Sequence, residues 1–363
     1  AEPEAGCSWR SVVQTYWNWR TGHCVRRDCD ISSLACPGYL HQLDKHGNIL
    51  YLHGSTLQVI NVSEPPTLVQ TINNVNYYKI SNSKLATQYD TVYRIYTLYQ
   101  GQYREIFKTN CKMDNYFALS ESFFAVVDSK TVKICDLDSD NLEQFKFILP
   151  ELACIREISI TGGVLNVDYV CCARTYNVIR FNLQTREQLN IIFISDHVNY
   201  LHIYITSHLV VVVVYHQCLI KRVSGELLTS LSMYKLIAVE GEYVVYTAHP
   251  NTRNIQIWTS RTPDDGPTTV YLGLVGYIRA KIVSGSLLVL TYLHCFVVID
   301  IQKAKFLYKF ELKEFNLDEY LYSYANQYYF VLLIKMKRLH SADDSKTYQI
   351  VYDFRDKPRP SIL

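Results

Sequence analysis

An all-β chain folded as an eight-bladed β-propeller of degenerate repeats, with a short N-terminal linker helix, is what this sequence predicts. Three observations predict it. Thirty tyrosines stand beside abundant valine and isoleucine in the 363 residues, a bias toward strands. From Tyr39 onward one unit of four short strands and turns recurs roughly every forty residues, the spacing of four-stranded propeller blades. The chain also opens with a strand that has no hairpin partner, while its last repeat lacks a fourth strand.

The opening stretch 8–30, SWRSVVQTYWNWRTGHCVRRDCD, begins as a helix. Trp9, Val12, Val13, Tyr16 and Trp17 form one apolar stripe at helical spacing. Ser8 stands where an N-cap would, and Gly22 where a helix commonly stops. Cys24 to Asp30 then reads as a strand, and its backbone groups must find a ladder elsewhere.

The cycles that follow align on their third strands. TLQVINV (56–62), TVYRIYT (91–97), TVKICDL (131–137) and YNVIRFNL (176–183) come first. CLIKRV (218–223), NIQIWTS (254–260), CFVVIDI (295–301) and TYQIVYDF (347–354) complete the series. Each is preceded by an apolar strand such as NILYLHG, FFAVVDS or LVVVVVYH, as expected for strands covered on both faces. Seven are followed by a more polar strand that suits an outer rim, for example PTLVQTI, LEQFKFI or KFLYKFEL. The eighth cycle, 315–355, has no such strand, and the N-terminal strand is expected to supply it and remove the free edge. The resulting organisation is a linker helix at 1–22, a propeller at 23–355 and a C-terminal tail at 356–363. Seven blades is the alternative, if one weak cycle is an insertion.

Composition narrows the function. A net charge of +2 gives no strong attraction for nucleic acid or an anionic membrane. The longest apolar run, Leu209 to Tyr215 with five consecutive valines, is far shorter than the roughly 20 residues that cross a bilayer. Eleven cysteines, odd in number and without a C-x-x-C pair, favour reduced thiols in a cytoplasmic or nuclear protein. No nucleophile elbow, phosphate loop, glycine-rich dinucleotide turn or paired catalytic carboxylates occur, so a non-enzyme without a cofactor is expected. His41, His46 and His53 match no standard metal-ligand spacing, and no metal site is expected.

In a propeller, the turns between second and third strands share one face with the blade-to-blade connections. Lys130, Arg174, Arg253 and Lys346 begin or immediately precede third strands, and Arg156 and Arg279 open two first strands. These six are the candidate ligand-binding residues. Guanidinium and ammonium groups on one face suit a carboxylate or phosphate on an extended protein segment.

The third strands TVKICDL, VVIDI, IQIWTS and IVYDF resemble those of WD repeats, in which a Trp-Asp pair closes the strand. Here the pair is Cys135-Asp136, Ile299-Asp300, Trp258-Thr259 or Tyr352-Asp353, and the Gly-His pair of those repeats is missing from its usual place. The opening stretch resembles the connector between F-box and propeller in F-box/WD-repeat proteins, dactylin-type members above all. There a Trp- and Tyr-rich helix ends in an Asn-Trp-x-x-Gly-x-Cys-like turn, which is Asn18 to Cys24 in this chain. The resemblance implies a substrate receptor of an SCF-type ubiquitin ligase, binding a protein substrate or degron peptide. It also implies a Skp adaptor and a cullin as partners through an F-box that is not present in this chain. Arg174-Thr175 matches the Arg-Thr pair of members that read phosphorylated degrons. Trp9, Tyr16, Trp17 and Trp19 would fasten the linker to the propeller's underside. A non-catalytic scaffold or interaction propeller unrelated to ubiquitin is the alternative.

Overall fold

A computed structural model describes residues 9–355 apart from 23, 31–39, 45–46, 62–66, 112–115, 151–153, 172–174, 196–200, 251–252, 275–278, 284–285, 293–294, 312–318, 326–328 and 338–344. The chain is an eight-bladed β-propeller with one helix at its N-terminal end. Seven four-stranded antiparallel sheets follow one another along the chain. They span Leu40–Asn73, Tyr77–Asn110, Phe117–Ile148, Cys154–Ser195, Leu201–Ser232, Lys235–Tyr271 and Arg279–Glu311. The eighth holds Glu319–Ala325, Tyr329–Lys337 and Ser345–Asp353, and its fourth strand is Val25–Asp30. Eight sheets leave no room for the seven-bladed alternative.

Innermost strands of neighbouring blades touch around the axis, and Glu319–Ala325 meets Leu40–Leu43 where the last blade reaches the first. The seam is fastened by backbone pairing from Val25↔Asp353 to Asp30↔Tyr348. Arg27 Nη2 adds a charge-assisted hydrogen bond of 2.6 Å to Asp353 Oδ2.

Second strands carry the core. Leu287–Thr291 is buried at every position and Phe123–Asp128 at all but the last. Each apolar cluster is shared between two successive blades, as in the one joining Val132, Ile134 and Phe147 to Val167, Ile179 and Phe181. Burial of these faces against the neighbouring blade, at about 25 cal/mol per Å² of apolar surface removed from water, is what holds the ring.

Two local devices recur. The first sits at the end of the third strand, where an Asp, Asn or Thr side chain accepts from the backbone N–H groups of the following turn. Asp136 Oδ1 accepts from Asp138 N, and Asn182 Oδ1 from Gln184 N and Thr185 N. Thr259 Oγ1 accepts from Arg261 N, Asp300 Oδ1 from Gln302 N and Lys303 N, and Asp353 Oδ1 from Arg355 N. Such side chains stand in for a backbone turn acceptor. That chemistry keeps the Asp of the WD-like pair where the Trp is lost.

The second device is a bulge in the outer strand. The register between third and fourth strands slips by one residue in blades one, two, four, five and seven. The residue skipped is always aliphatic: Val69, Ile106, Leu228 or Leu307, and in blade four, which slips twice, Leu189 and Ile194. Ile106, Leu228 and Leu307 pack into the clusters shared with the next blade. A bulge re-aims a side chain, and here it turns an outer-strand residue onto the following sheet. Leu189 is the exception and lies exposed.

The helix, α1, runs Trp9–Thr21 and stops at Gly22, whose φ of +75° is the left-handed conformation a helix C-terminus uses. A Cβ at Gly22 would stand 3.5 Å from the Phe310 ring, so the chain turns here against the outer strand of blade seven. Among the described side chains of α1, those of residues 14–21, the two most buried are not on the stripe read from the sequence; the side chains of Val12 and Val13 lie outside the described residues. Thr15 and Trp19 are fully packed, whereas Trp17 is 56% exposed. Trp17 lies two residues, about 200° of helical turn, from Trp19, and the side facing Phe354 wins. The expected packing role of Trp17 is therefore corrected. Ser8 and the side chain of Trp9 lie outside the described residues.

Candidate functional site

The antiparallel order of every blade sends second-to-third turns and blade connections to one end of the ring, and first-to-second and third-to-fourth turns to the other. Two candidate regions lie at these two ends and a third lies between them.

At the first end stand the basic residues named from sequence. Lys130 is exposed in the turn before Thr131–Asp136, and Arg253 is exposed just ahead of Asn254–Thr259. Arg156 is exposed in Cys154–Thr161, at a point where the register slips between Ile155 and Glu157, and its guanidinium lies 5.9 Å from the Tyr176 ring centroid. Arg279 opens Arg279–Val283 and Lys346 is the second residue of Ser345–Asp353, but their side chains lie outside the described residues. So does Arg174 entirely. Apart from Arg174, these positions share an end of the ring and stand on blades three, four, six, seven and eight. Of the three histidines weighed as ligands, only His53 has a described side chain, and it is exposed. Among the described residues, no group of three or more His, Cys, Asp or Glu is placed to hold a metal ion. No helix among them is long and apolar enough to cross a membrane.

At the opposite end α1 is clamped to blades seven and eight. The Trp19 indole is 0% exposed and stacks on Phe354 with centroids 3.8 Å apart and planes 11° from parallel. Asn18 Nδ2 donates to the Phe354 carbonyl at 3.1 Å, and the Tyr16 and Ser286 hydroxyls share a hydrogen bond of 3.2 Å. Arg20 Nη1 donates to Tyr16 Oη at 2.9 Å and reaches buried Asp300 Oδ2 at 2.5 Å. Burial works against the Arg20 charge, but its bonds to Tyr16 and Asp300 outweigh that and hold its pKa above the ordinary value. Asp300 and Asp353 thus do double duty: one oxygen ends a strand and the other holds an arginine of the N-terminal segment.

The third region was missed in the sequence. A cleft of about 220 Å³ opens between blades four and five, lined by Glu157, Ser159, Asn166 and Asp168 on one side. Ile203, Tyr204, Ile205 and Thr206 of blade five, with Val239 of blade six, form the other side. Glu157 pairs with Asp168 and Ser159 with Asn166 across adjacent strands, so all four leave the same face of the sheet. Further out on that face Arg180 is buried, with Nε on Asn166 Oδ1 at 3.2 Å and Nη1 on the Val223 carbonyl at 3.1 Å.

Asp168 Oδ1 is buried without a hydrogen-bond partner among the described residues. Burial, followed by the Glu157 charge, pushes the Asp168 carboxyl up to about 7, and Arg156 offsets this only in part. Its effect on stability has a definite sign. Between about pH 4 and pH 7 the unfolded chain ionises this carboxyl while the folded chain keeps its proton, so folded stability falls as pH rises through that window. Asp168→Asn keeps the neutral shape. Its melting temperature is expected to match wild type at pH 4.5 and to exceed it by several degrees at pH 8, as scanning calorimetry would show. An equal offset at both values would disprove the titration.

No protein-family model and no curated protein matches this sequence. Solved structures do. The Dos1 propeller is 14% identical, covers 87% of this chain and 88% of its own, and superposes with a TM-score of 0.51. Apo AztD from Citrobacter koseri is 10% identical, covers 79% of this chain and 88% of its own, with a TM-score of 0.50. At these identities the likeness is one of fold alone, a β-propeller.

Proposed function

We propose that this chain is the partner-recognition propeller of an F-box type SCF ubiquitin ligase. It would hold a protein segment on one end of the ring while the segment preceding α1 docks on a Skp adaptor and, through it, a cullin. The observation that carries this reading is the clamp of α1. Trp19 on Phe354, Arg20 on Asp300 and Asn18 on the Phe354 carbonyl fix the helix at three points on the end opposite Lys130, Arg156 and Arg253. A scaffold that presents one ligand to a distant enzyme needs such a stiff handle, because its contribution is position and effective concentration. The helix resembles the F-box connector in sequence, which supports the same reading. Lys130, Arg156, Arg174, Arg253, Arg279 and Lys346 are the proposed contacts to the bound segment, through charge-assisted bonds to its acidic groups.

Expression of the full-length protein in cells tests this. A Skp adaptor and a cullin should co-purify in stoichiometric amount, and the complex should survive Arg156→Ala and Arg253→Ala while substrate capture falls. A propeller that recovers partners without any adaptor would place it among scaffolds unrelated to ubiquitin.

A further inference from the structure

We propose that the cleft between blades four and five is a binding site for a primary alkylammonium group, of the kind carried by a lysine side chain or a free polyamine. The inference goes beyond the ligase reading and does not depend on it.

Four observations converge. Among the described residues the lining contains two carboxylates, Glu157 and Asp168, and no basic side chain. The two are cross-strand partners and project from one face of blade four into the same space. Asp168 Oδ1 is a buried acceptor without a donor among the described residues, a costly state for a carboxylate that an incoming N–H group would relieve. Opposite these acids, Ile203 and Ile205, which pack on the blade-four side of their strand, give an apolar wall for a methylene stem.

The nearby cations do not fill this role. The Arg180 guanidinium is engaged by Asn166 and the Val223 carbonyl. Arg156 lies at the Tyr176 ring and is not among the cleft residues. Lys79, on the innermost strand of blade two, feels the Glu157 charge, which partly offsets the lowering of its pKa by burial, but its Nζ is engaged by the Phe117 carbonyl at 2.7 Å. Among the described residues, blades five and six bring only Ile203, Tyr204, Ile205, Thr206 and Val239 to the cleft, none of them charged at neutral pH. A bound ammonium would sit against Asp168 and Glu157, and by favouring the ionised carboxyl would draw the Asp168 pKa back down from about 7. Affinity should therefore rise between pH 6 and pH 8.

The test uses the whole chain and three amides: Nα-acetyl-lysine methylamide, its Nε-acetylated form and the norleucine analogue. By ligand-observed NMR, the lysine amide is expected to bind with a dissociation constant on the order of 1 mM, and the two neutral amides at least tenfold more weakly. Asp168→Asn, a variant expected to be more stable than wild type at pH 8, should weaken lysine binding about tenfold. Glu157→Gln, at an exposed position, should weaken it by a smaller factor. Cadaverine separates the sources: binding tighter than the lysine amide assigns the site to free diamines, and weaker binding assigns it to a protein side chain. Equal binding of the norleucine and lysine amides overturns the proposal, as does undiminished binding by a folded Asp168→Asn chain. Absence of lysine and cadaverine binding alike overturns it too, and none of these outcomes bears on adaptor recruitment.

Discussion

Replacing Trp19 by alanine will destabilise the folded ring by about 3–5 kcal/mol. The indole is wholly buried, and its contacts are not local to the helix. It stacks on Phe354 and belongs to the cluster that joins Val289, Phe296 and Val298 of blade seven to Phe330, Ile350 and Tyr352 of blade eight. Truncation therefore removes a large apolar surface and leaves a cavity at the seam between the first and last parts of the chain. Against a total stability of about 5–15 kcal/mol for a typical domain, this is a large share. Urea unfolding followed by far-UV circular dichroism measures it. Trp19→Phe should recover part of the loss by restoring the stack. A shift below about 1 kcal/mol for the alanine variant would mean that the indole does not carry the clamp.

Removing residues 1–30 is expected to have a still larger effect. The strand Ser345–Asp353 would become an exposed edge, with the backbone partners it now finds from Val25 to Asp30 missing. Asp353 would lose Arg27, and Phe354 would lose both the Trp19 ring and the Asn18 bond to its carbonyl. We expect the truncated chain to self-associate through this edge, visible as high-mass species in light scattering. A synthetic peptide of residues 1–30 added during refolding should restore a monomer. A truncated chain that stays monomeric, with an unchanged melting temperature, would show that the arm is dispensable.

What the sequence made legible was the part written in repetition. Eight third strands such as TVKICDL and CFVVIDI, each after an apolar partner, are enough to count blades, because period-two burial and turn chemistry are local properties. Tyr16 lies on the apolar stripe read at helical spacing, whereas Trp19 enters only with the resemblance to the F-box connector; among the described side chains of the helix Thr15 and Trp19 are buried and Trp17 is exposed. The bulged residues could not be read, since Leu228 or Leu307 looks like any other strand aliphatic until its register is known. The acidic cleft was hidden for a related reason. Glu157 and Asp168 are eleven positions apart, and only the hairpin that pairs them, together with the approach of blade five, turns two scattered carboxylates into one lining. The charges noticed first were those in turns, which sequence marks plainly; the charges inside strands became visible only through their neighbours.

The pairing of Arg27 with Asp353 spans 326 residues, and this sets an order of events during synthesis. The arm leaves the ribosome before the first seven blades, and its partner strand leaves after them. At 5–20 residues per second, the arm waits on the order of tens of seconds for the strand it joins. Throughout that interval the early blades can form, but the circle cannot shut. The step that completes the molecule is thus a late, long-range event of the kind that slows β-rich proteins and exposes them to chaperones.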